Sequence, residues 1–184
     1  MGDWSHQEDN MALLENDMIR LRALEPEDLE LLYHWENDSS LWSVGATVSP
    51  FSRYVLKEYI LESHRDIYDL RQLRLMIDLQ TENRTIGMID LFDFDPHHHR
   101  AGTGILIDSV YQKRGYAFMA LNMLVDYAFS FLKLHQLYAH IPIDNEASKA
   151  LYTRCGFKVA GRLSEWISTP DGYSDVIVMQ LISG

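Results

Sequence analysis

The sequence has few of the features that mark a secreted or membrane protein. Its 184 residues include one cysteine, Cys155, which excludes an internal disulfide and fits a reducing cytoplasm. No apolar run approaches the ~20 residues of a membrane span, and no secretory signal opens the chain. We therefore expect a cytoplasmic protein in which Cys155 is a small buried apolar residue rather than a nucleophile.

Positive charge is also scarce. Lys and Arg number 16 against 27 Asp and Glu, which gives a formal net charge of −11. This balance argues against a nucleic-acid partner and favours a cationic small-molecule substrate, although solubility alone also accounts for an acidic surface. Residues 1–17 contain five of the acids and no Lys or Arg. We expect them to form a disordered leader or a cloning remnant, and residues 18–184 to form a single domain.

Hydrophobic patterning after residue 17 predicts eleven elements and no linker or repeat. Strands are predicted at residues 19–24, 73–79, 85–94, 100–107, 136–141, 157–167 and 173–181, and helices at 26–35, 50–65, 115–132 and 145–155. The order β-α-α-β-β-β-α-β-α-β-β predicts an α/β (α+β) fold. We expect a central mixed, mostly antiparallel sheet of about seven strands with helices on both faces.

A loop suited to an anion lies between a short apolar strand and a long helix. It consists of Gln112, Lys113, Arg114, Gly115, Tyr116 and Ala117. A helix N-terminus carries partial positive charge and unpaired N–H groups, so the loop predicts a phosphate site. Gly115 lacks the Cβ that would block an anion, and Lys113 and Arg114 add positive charge.

A second motif, about thirty residues later, reads DNEASKALYTRCGF at residues 144–157. Together the two segments resemble the acyl-CoA-binding core of the GNAT acetyltransferase superfamily. That family's loop reads Gln/Arg-x-x-Gly-x-Gly/Ala, and its later unit reads Asn-x-x-Ala-x-x-Leu-Tyr-x-x-x-Gly-Phe. The matching residues of the second motif are Asn145, Ala150, Leu151, Tyr152, Gly156 and Phe157. The resemblance extends over roughly residues 18 to 182 and implies a GNAT-like acyl-CoA N-acyltransferase fold.

The resemblance implies acetyl-CoA as cosubstrate, bound along one strand, the loop and the next helix. The strand 104–107 would splay from its neighbour and offer backbone groups to the pantetheine arm, with Gly104 easing a bulge. Asn145 is also expected to cap its helix. The residues implied to contact the cofactor are Ile105, Leu106, Ile107, Gln112, Lys113, Arg114, Gly115, Tyr116, Ala117, Asn145 and Ser148.

Tyr152 is the candidate general acid for the departing thiolate. It lies seven residues after Asn145, which is two helical turns along nearly the same face. A phenol with a pKa near ~10 is protonated at neutral pH and can donate a proton. The alternative is a core aromatic whose hydroxyl has a structural partner. The resemblance favours the catalytic role.

The general base has no obvious residue. Many amine-acetylating relatives carry a Glu in an Arg-Ala-Glu-Ile-Gly stretch, and Gly102 occupies that position here. Asp90, Asp93 and Asp95 on the preceding strand are substitutes that would act directly or through water. A solvated strand edge is the alternative for each of them.

Within the superfamily the C-terminal half most resembles the spermidine N-acetyltransferases, which implies a polyamine or diamine acceptor. The residues proposed to bind it are Trp35, Glu36, Trp42, Asp90 and Asp93. The sequence departs from that family at Val48 and Ser49, where the family has an acidic pair. Two alternatives stay open: an N-terminal acetyltransferase acting on a ribosomal or other protein, and a non-catalytic acyl-CoA-binding regulatory module.

Two further expectations concern ions and assembly. His97, His98 and His99 are adjacent in an extended turn and point in different directions, so we expect a solvated loop and no metal site. A homo-oligomer is compatible with the sequence.

Overall fold

The computed structural model describes residues 13–39 and 49–184. The helices are α1 (Leu29–Glu36), α2 (Arg53–Glu62), α3 (Ile67–Leu70), α4 (Tyr116–Asp126) and α5 (Glu146–Arg154). The strands are β1 (Ile19–Arg22), β2 (Leu73–Leu79), β3 (Arg84–Asp95), β4 (Arg100–Ile107), β5 (Gln136–Pro142), β6 (Lys158–Thr169) and β7 (Gly172–Ile182). One-turn 3-10 helices at Pro26–Asp28 and Ser109–Tyr111 precede α1 and the loop before α4.

The seven strands form one sheet in the order β1-β2-β3-β4-β5-β7-β6. Every neighbouring pair is antiparallel except β4 and β5, which are parallel. The predicted fold class is therefore confirmed. Within the described residues, no helix combines the length and apolar character needed to cross a membrane.

Two apolar cores form because successive side chains of a strand point to opposite faces of the sheet. On β2, Leu75 and Ile77 belong to the main core, whereas Met76 between them belongs to a second core. The main core lies under α4 and α5, and the second lies under α1 and α2. The sheet thus carries helices on both faces, as predicted.

Several element boundaries differ from the sequence prediction. The α-helical part of the long helix ends at Asp126, and residues Tyr127–Phe131 form a π turn instead of continuing it. Helix α2 begins at Arg53 because the Ser52 side chain caps it by accepting a hydrogen bond from Val55 N–H. The short helix α3 was not predicted.

Residues 13–17, assigned from the sequence to the leader, are part of the folded domain. Leu14 packs against the main core, and its carbonyl accepts a hydrogen bond from Leu21 N–H at 2.7 Å. Asn16 Oδ1 accepts from the N–H groups of Met18 and Ile19, both at 2.9 Å. The remainder of the predicted leader, residues 1–12, lies outside the described residues.

Candidate active site

The parallel strands β4 and β5 separate along their length. Their pairing covers Arg100 with Gln136, Ala101 with Leu137 and Gly102 with Tyr138, and ends there. Beyond Gly102 a gap opens between the strands, in agreement with the splay expected of strand 104–107. The predicted bulge at Gly104 is wrong: Gly104 pairs regularly with Asp90, and the irregularity lies on β3 between Phe92 and Asp95.

The edge of β4 that faces this gap carries a regular series of backbone groups. Tyr152 donates its hydroxyl proton to the Thr103 carbonyl at 3.1 Å, and Gln112 Nε2 donates to the Ile107 carbonyl at 2.9 Å. Both partners lie on the side of β4 away from β3. Backbone groups of residues two apart point the same way along a strand, so the N–H and carbonyl of Ile105 also face the gap.

The side chains of this segment point elsewhere. Ile105 and Ile107 pack on the main core, and Leu106 packs on the second core. Any contact that these three residues make with a ligand in the gap is therefore mainly through the backbone.

Tyr152 lies at the closed end of the gap. Its side chain is buried, with 3% of its surface exposed, and its ring packs edge-on against Phe157 at 4.9 Å. Besides donating to the Thr103 carbonyl, its hydroxyl oxygen is 3.1 Å from Thr103 Oγ1, which is also 3.3 Å from the Tyr138 carbonyl. Burial raises the pKa of Tyr152 to about 12, although the hydrogen bond with Thr103 opposes this rise. The phenol is therefore protonated at neutral pH.

The loop that precedes α4 has an unusual backbone. Gly115 is the N-cap of the helix with φ of +88°, and a Cβ built there would meet nothing within 4 Å. Lys113 adopts φ of +62°, a conformation that non-glycine residues rarely take. The loop thus presents an open, exposed cradle at a helix N-terminus, which fits a pyrophosphate group.

The side chains of the loop divide by position. Gln112, Lys113 and Arg114 are exposed, and the Arg114 guanidinium lies 5.5 Å from the centroid of the Tyr111 ring. Tyr116 is buried in the main core, so only its backbone can reach a ligand in the cradle. Ala117 also packs against the main core.

Asn145 caps α5, as the sequence predicts. Its Oδ1 accepts a hydrogen bond from Ser148 N–H at 3.0 Å. Both residues are half-buried at the start of the helix that carries Tyr152.

Gly102 is a glycine for a steric reason. A Cβ built at Gly102 would lie 2.3–2.8 Å from three atoms of the Phe92 ring, closer than real Cβ atoms come. Phe92 therefore fills the space of a side chain at position 102. The space next to Gly102, where a Glu side chain would begin, is occupied by the Phe92 ring.

Asp90, a candidate for the missing base, is paired with a guanidinium. Arg74 donates to Asp90 through Nε at 2.7 Å and through Nη2 at 2.9 Å, and its Nη1 donates to Glu36 at 2.5 Å. The side chain of Arg74 is 13% exposed, and its guanidinium lies 5.4 Å from the centroid of the Tyr59 ring. Burial would lower the pKa of Arg74, but the two carboxylates raise it above its ordinary value. Both oxygens of the Asp90 carboxylate accept hydrogen bonds from Arg74, and a role for Asp90 as base stays a prediction.

The other predicted acceptor residues are scattered. Trp35 is buried in the second core and its Nε1 donates to Asp108 at 3.4 Å. Asp93 is exposed and accepts a hydrogen bond from the Tyr138 hydroxyl at 3.4 Å. Asp95 accepts from the N–H groups of His97 and His98 and forms an ion pair with Arg100. Trp42 lies outside the described residues.

The sequence alone did not predict three residues that contact the candidate site: Arg74, Phe92 and Thr103. Arg74 had a detectable signal, since it is the one basic residue of β2, whose other residues are apolar except for Asp78. The other two gave none, because their contacts depend on the register of β3, β4 and β5. No group of three or more His, Cys, Asp or Glu side chains among residues 13–39 and 49–184 could hold a metal ion.

Comparison with known proteins identifies the family. The sequence pattern of the acetyltransferase (GNAT) domain matches residues 19–158. The chain belongs to the GNAT acetyltransferase family and is an N-acetyltransferase that uses acetyl-CoA as its acetyl donor. The predicted family, activity and cosubstrate are thereby confirmed.

The names of its relatives indicate different acceptors. Spermidine N(1)-acetyltransferase of Vibrio cholerae is 29% identical over 167 residues, which cover 91% of this chain and 94% of that protein. A putative ribosomal N-acetyltransferase of Bacillus subtilis is 28% identical over 172 residues, covering 91% of this chain and 92% of that protein.

Solved structures agree with the first relative. The crystal structure of the Vibrio cholerae enzyme in complex with CoA and spermine matches with a TM-score of 0.82 at 29% identity, covering 91% of this chain and 96% of that one. A dodecameric structure of spermidine N-acetyltransferase from the same organism matches with a TM-score of 0.76 at 30% identity, covering 91% and 95%.

Proposed function

We propose that this protein transfers acetyl from acetyl-CoA directly to a primary amine of a polyamine or diamine such as spermidine. The observation that carries the proposal is the gap between β4 and β5, with the Tyr152 hydroxyl bonded to Thr103 at its closed end. The similarity to the Vibrio cholerae enzyme, whose structure contains CoA and spermine, supports the choice of acceptor.

In this proposal the chain holds acetyl-CoA at three places. The cradle at Gly115 receives the pyrophosphate, with Lys113 and Arg114 supplying positive charge and Gln112 holding the loop to the Ile107 carbonyl. The pantetheine arm lies in the gap against the backbone of residues 105–107. Asn145 and Ser148 border the arm from the start of α5.

Two groups of the chain then act on the thioester. The Ile105 N–H polarises the thioester carbonyl and stabilises the oxyanion that forms when the amine attacks. Tyr152 protonates the departing CoA thiolate: a phenol carries its proton at neutral pH, and burial raises the pKa of Tyr152 further. No acetylated form of the enzyme occurs in this scheme.

The charge on the α1–α2 face of the sheet suits an ammonium group. Glu36 and Asp90 contribute two negative charges and Arg74 one positive charge, which leaves a net charge of −1 beside Gly104. Asp93 adds an exposed carboxylate on the same strand as Asp90. We infer that these groups attract the acceptor, with Glu36 and Asp90 acting together with Arg74.

A protein N-terminus is the second candidate acceptor, and one observation favours it. Arg74 neutralises half of the carboxylate charge of its cluster, whereas a polyamine carries several positive charges. An α-amino group has one charge and a pKa near ~8, so it needs less help from a base.

An acceptor panel decides between the two candidates. CoA release would be measured with spermidine, a diamine, a peptide bearing a free ribosomal-protein N-terminus, and spermidine whose primary amines are blocked. We expect release with spermidine or the diamine and none with the blocked compound. Release with the peptide alone would replace the polyamine by a protein N-terminus.

We also infer that the protein forms a homo-oligomer. The β6–β7 hairpin exposes Trp166 at 59% and Tyr173 at 71%, and β6 exposes Val159 at 67%. Large apolar side chains of this kind commonly lie in subunit contacts. Light scattering would measure the mass, and a monomer at micromolar concentration would contradict the inference.

A further inference from the structure

Deprotonation of the acceptor is the step for which no residue has yet been found. A primary ammonium must lose a proton before its nitrogen can attack a carbonyl carbon. The family's strand Glu is absent, and the three candidate carboxylates have partners: Asp90 is bound by Arg74, Asp93 accepts from the Tyr138 hydroxyl, and Asp95 accepts from the backbone of the turn and pairs with Arg100. The proton acceptor must therefore be sought among the other groups around the gap.

His140 lies on the strand that forms the far side of the gap. It follows Tyr138 by two residues on β5, so the two side chains point to the same face of the sheet. Leu137, Ala139 and Ile141 alternate with them and belong to the main core, which places Tyr138 and His140 on the opposite face. That is the face of α1 and α2, and His140 is exposed there.

The register places His140 beside the open part of the gap. Gly102 pairs with Tyr138, and two residues further on each strand Gly104 faces His140 where the pairing has ended. A Cβ built at Gly104 would have only Phe92, at 3.6 Å, within 4 Å. The space between Gly104 and His140 is thus open on the side from which an acceptor can enter.

Aromatic rings line the approach to His140. Phe92 packs edge-on against Tyr138 at 6.2 Å, and the Tyr138 ring lies 5.4 Å from the His140 ring. The Tyr138 hydroxyl donates to Asp93. The rings of Phe92, Tyr138 and His140 therefore form a continuous surface from β3 to β5 across the closed end of the gap.

From this arrangement we propose that His140 is the general base that takes a proton from the acceptor ammonium. The inference rests on the proposed function, since it needs an amine acceptor. Imidazole is the side chain suited to exchange protons near neutral pH. Within the described residues, no hydrogen bond or ion pair ties up the His140 ring, and its contact with Tyr138 is through the rings.

In one turnover the acceptor nitrogen loses two protons. A ring nitrogen of His140 takes one proton from the ammonium, and the freed electron pair forms the C–N bond to the thioester carbon. The C–S bond then breaks and the sulfur receives the Tyr152 proton. The second proton that the nitrogen loses restores Tyr152, and His140 releases its proton to water.

The groups around His140 are few. On its own strand Tyr138 is the neighbour, and across β7 and β6 the paired residues are Val178 and Gly161, which carry no charge. On β3, Asp93 accepts a hydrogen bond from Tyr138, the neighbour of His140. Asp90 on the same strand pairs with Gly104 across the sheet and forms an ion pair with Arg74. On β4 the facing residue is Gly104.

The variant His140→Gln tests the proposal by its pH profile. At neutral pH we expect kcat/KM for the amine to fall by about 10²-fold, within the range of a lost general base. The deficit should shrink as the pH rises, because the free amine then becomes abundant without the enzyme's help. His135→Gln, an exposed histidine just before β5, is the matched control and should behave as wild type. An unchanged kcat/KM, or a deficit of equal size at every pH, would overturn the assignment.

A second measurement does not depend on turnover. The imidazole signal of His140 in histidine-labelled protein bound to CoA is identified by its loss in His140→Gln, and it should shift when spermidine is added. A signal that stays in place at saturating spermidine would overturn the contact. Calorimetry measures spermidine binding to the same CoA complex. If spermidine does not bind, the proposed function fails, whereas binding without a shift of the His140 signal overturns the His140 assignment alone.

Discussion

At the scale of single residues, the buried Tyr152 hydroxyl lies at the closed end of the gap, where the proposed reaction takes place. Its oxygen joins α5 to β4 through Thr103, and Thr103 in turn reaches the Tyr138 carbonyl on β5. The hydroxyl therefore marks the point where the two strands part. Burial raises the pKa of Tyr152 above that of an ordinary phenol, so the hydroxyl is protonated at neutral pH.

Tyr152→Phe separates a catalytic role from a structural one. The ring keeps its contact with Phe157, so the free energy of unfolding should change by only about 1 kcal/mol for the lost hydrogen bonds. We expect kcat to fall by roughly 10²–10⁴-fold while the affinity for acetyl-CoA is unchanged. Steady-state kinetics with an identified acceptor gives the answer. Wild-type kcat in a folded variant would show that Tyr152 has a structural role only.

Gly87 tests the packing of the strands next to the gap. A Cβ at Gly87 would lie 2.2 Å from the Leu106 carbonyl oxygen, and a backbone atom cannot move aside cheaply. We expect Gly87→Ala to lower the free energy of unfolding by more than about 2 kcal/mol. At Gly161 a Cβ would meet nothing within 4 Å, so Gly161→Ala should stay within about 0.5 kcal/mol of wild type. Urea unfolding of both variants checks the prediction, which equal stabilities would contradict.

At the scale of elements, the loop before α4 is the proposed pyrophosphate site. Gly115→Glu forces a side chain onto a backbone with φ of +88° and places a negative charge in the cradle. We expect the affinity for acetyl-CoA to fall at least about tenfold, from like-charge repulsion alone.

A matched control exists at the β6–β7 turn. Gly172 also has positive φ, of +132°, with nothing within 4 Å of a built Cβ. Gly172→Glu thus adds the same charge on a strained backbone in a different turn. Calorimetry should show normal acetyl-CoA affinity for this variant. Equal losses in the two variants would mean that the loop has no special role.

Elements also show how far the sequence could predict this protein. The glycine turn before α4 and the Asn145 cap depend on contacts within a few residues, and both were predictable from local spacing. The role of Gly102 was not, because the ring that fills its space belongs to Phe92 on another strand. The ion cluster that holds Asp90 needs α1, β2 and β3 in register. Residue types predict local geometry, whereas partners distant in sequence need the fold.

At the scale of the whole molecule, an ion network around the buried Asp78 joins the first strand to the sheet. Asp78 on β2 accepts hydrogen bonds from Arg20 and Arg22 on β1 and from Thr85 on β3. Burial alone would raise the pKa of Asp78, but the hydrogen bonds from Arg22, Thr85 and Arg20 lower it. A carboxyl with a lowered pKa in the folded state stabilises the protein above its unfolded pKa, near ~4. This contribution disappears as the pH falls through the folded value.

Asp78→Asn should therefore change the pH dependence of stability. We expect it to lower the free energy of unfolding by about 2 kcal/mol at neutral pH. The difference in stability between wild type and variant should become smaller below pH ~4. Asp69→Asn is the control, because its ion pair with Arg65 is exposed and contributes little. Urea unfolding at several pH values measures both. A difference in stability between wild type and Asp78→Asn that is constant from neutral to acid pH would contradict the account.

The central claim is direct transfer of acetyl from acetyl-CoA to an amine held in the same complex. The most direct test is the initial-rate pattern with both substrates varied, using the amine that performs best in the acceptor panel. Direct transfer requires both substrates to be bound together, so the account predicts double-reciprocal lines that intersect. Parallel lines would show that CoA leaves before the amine binds, with acetyl carried on the enzyme, and would contradict it.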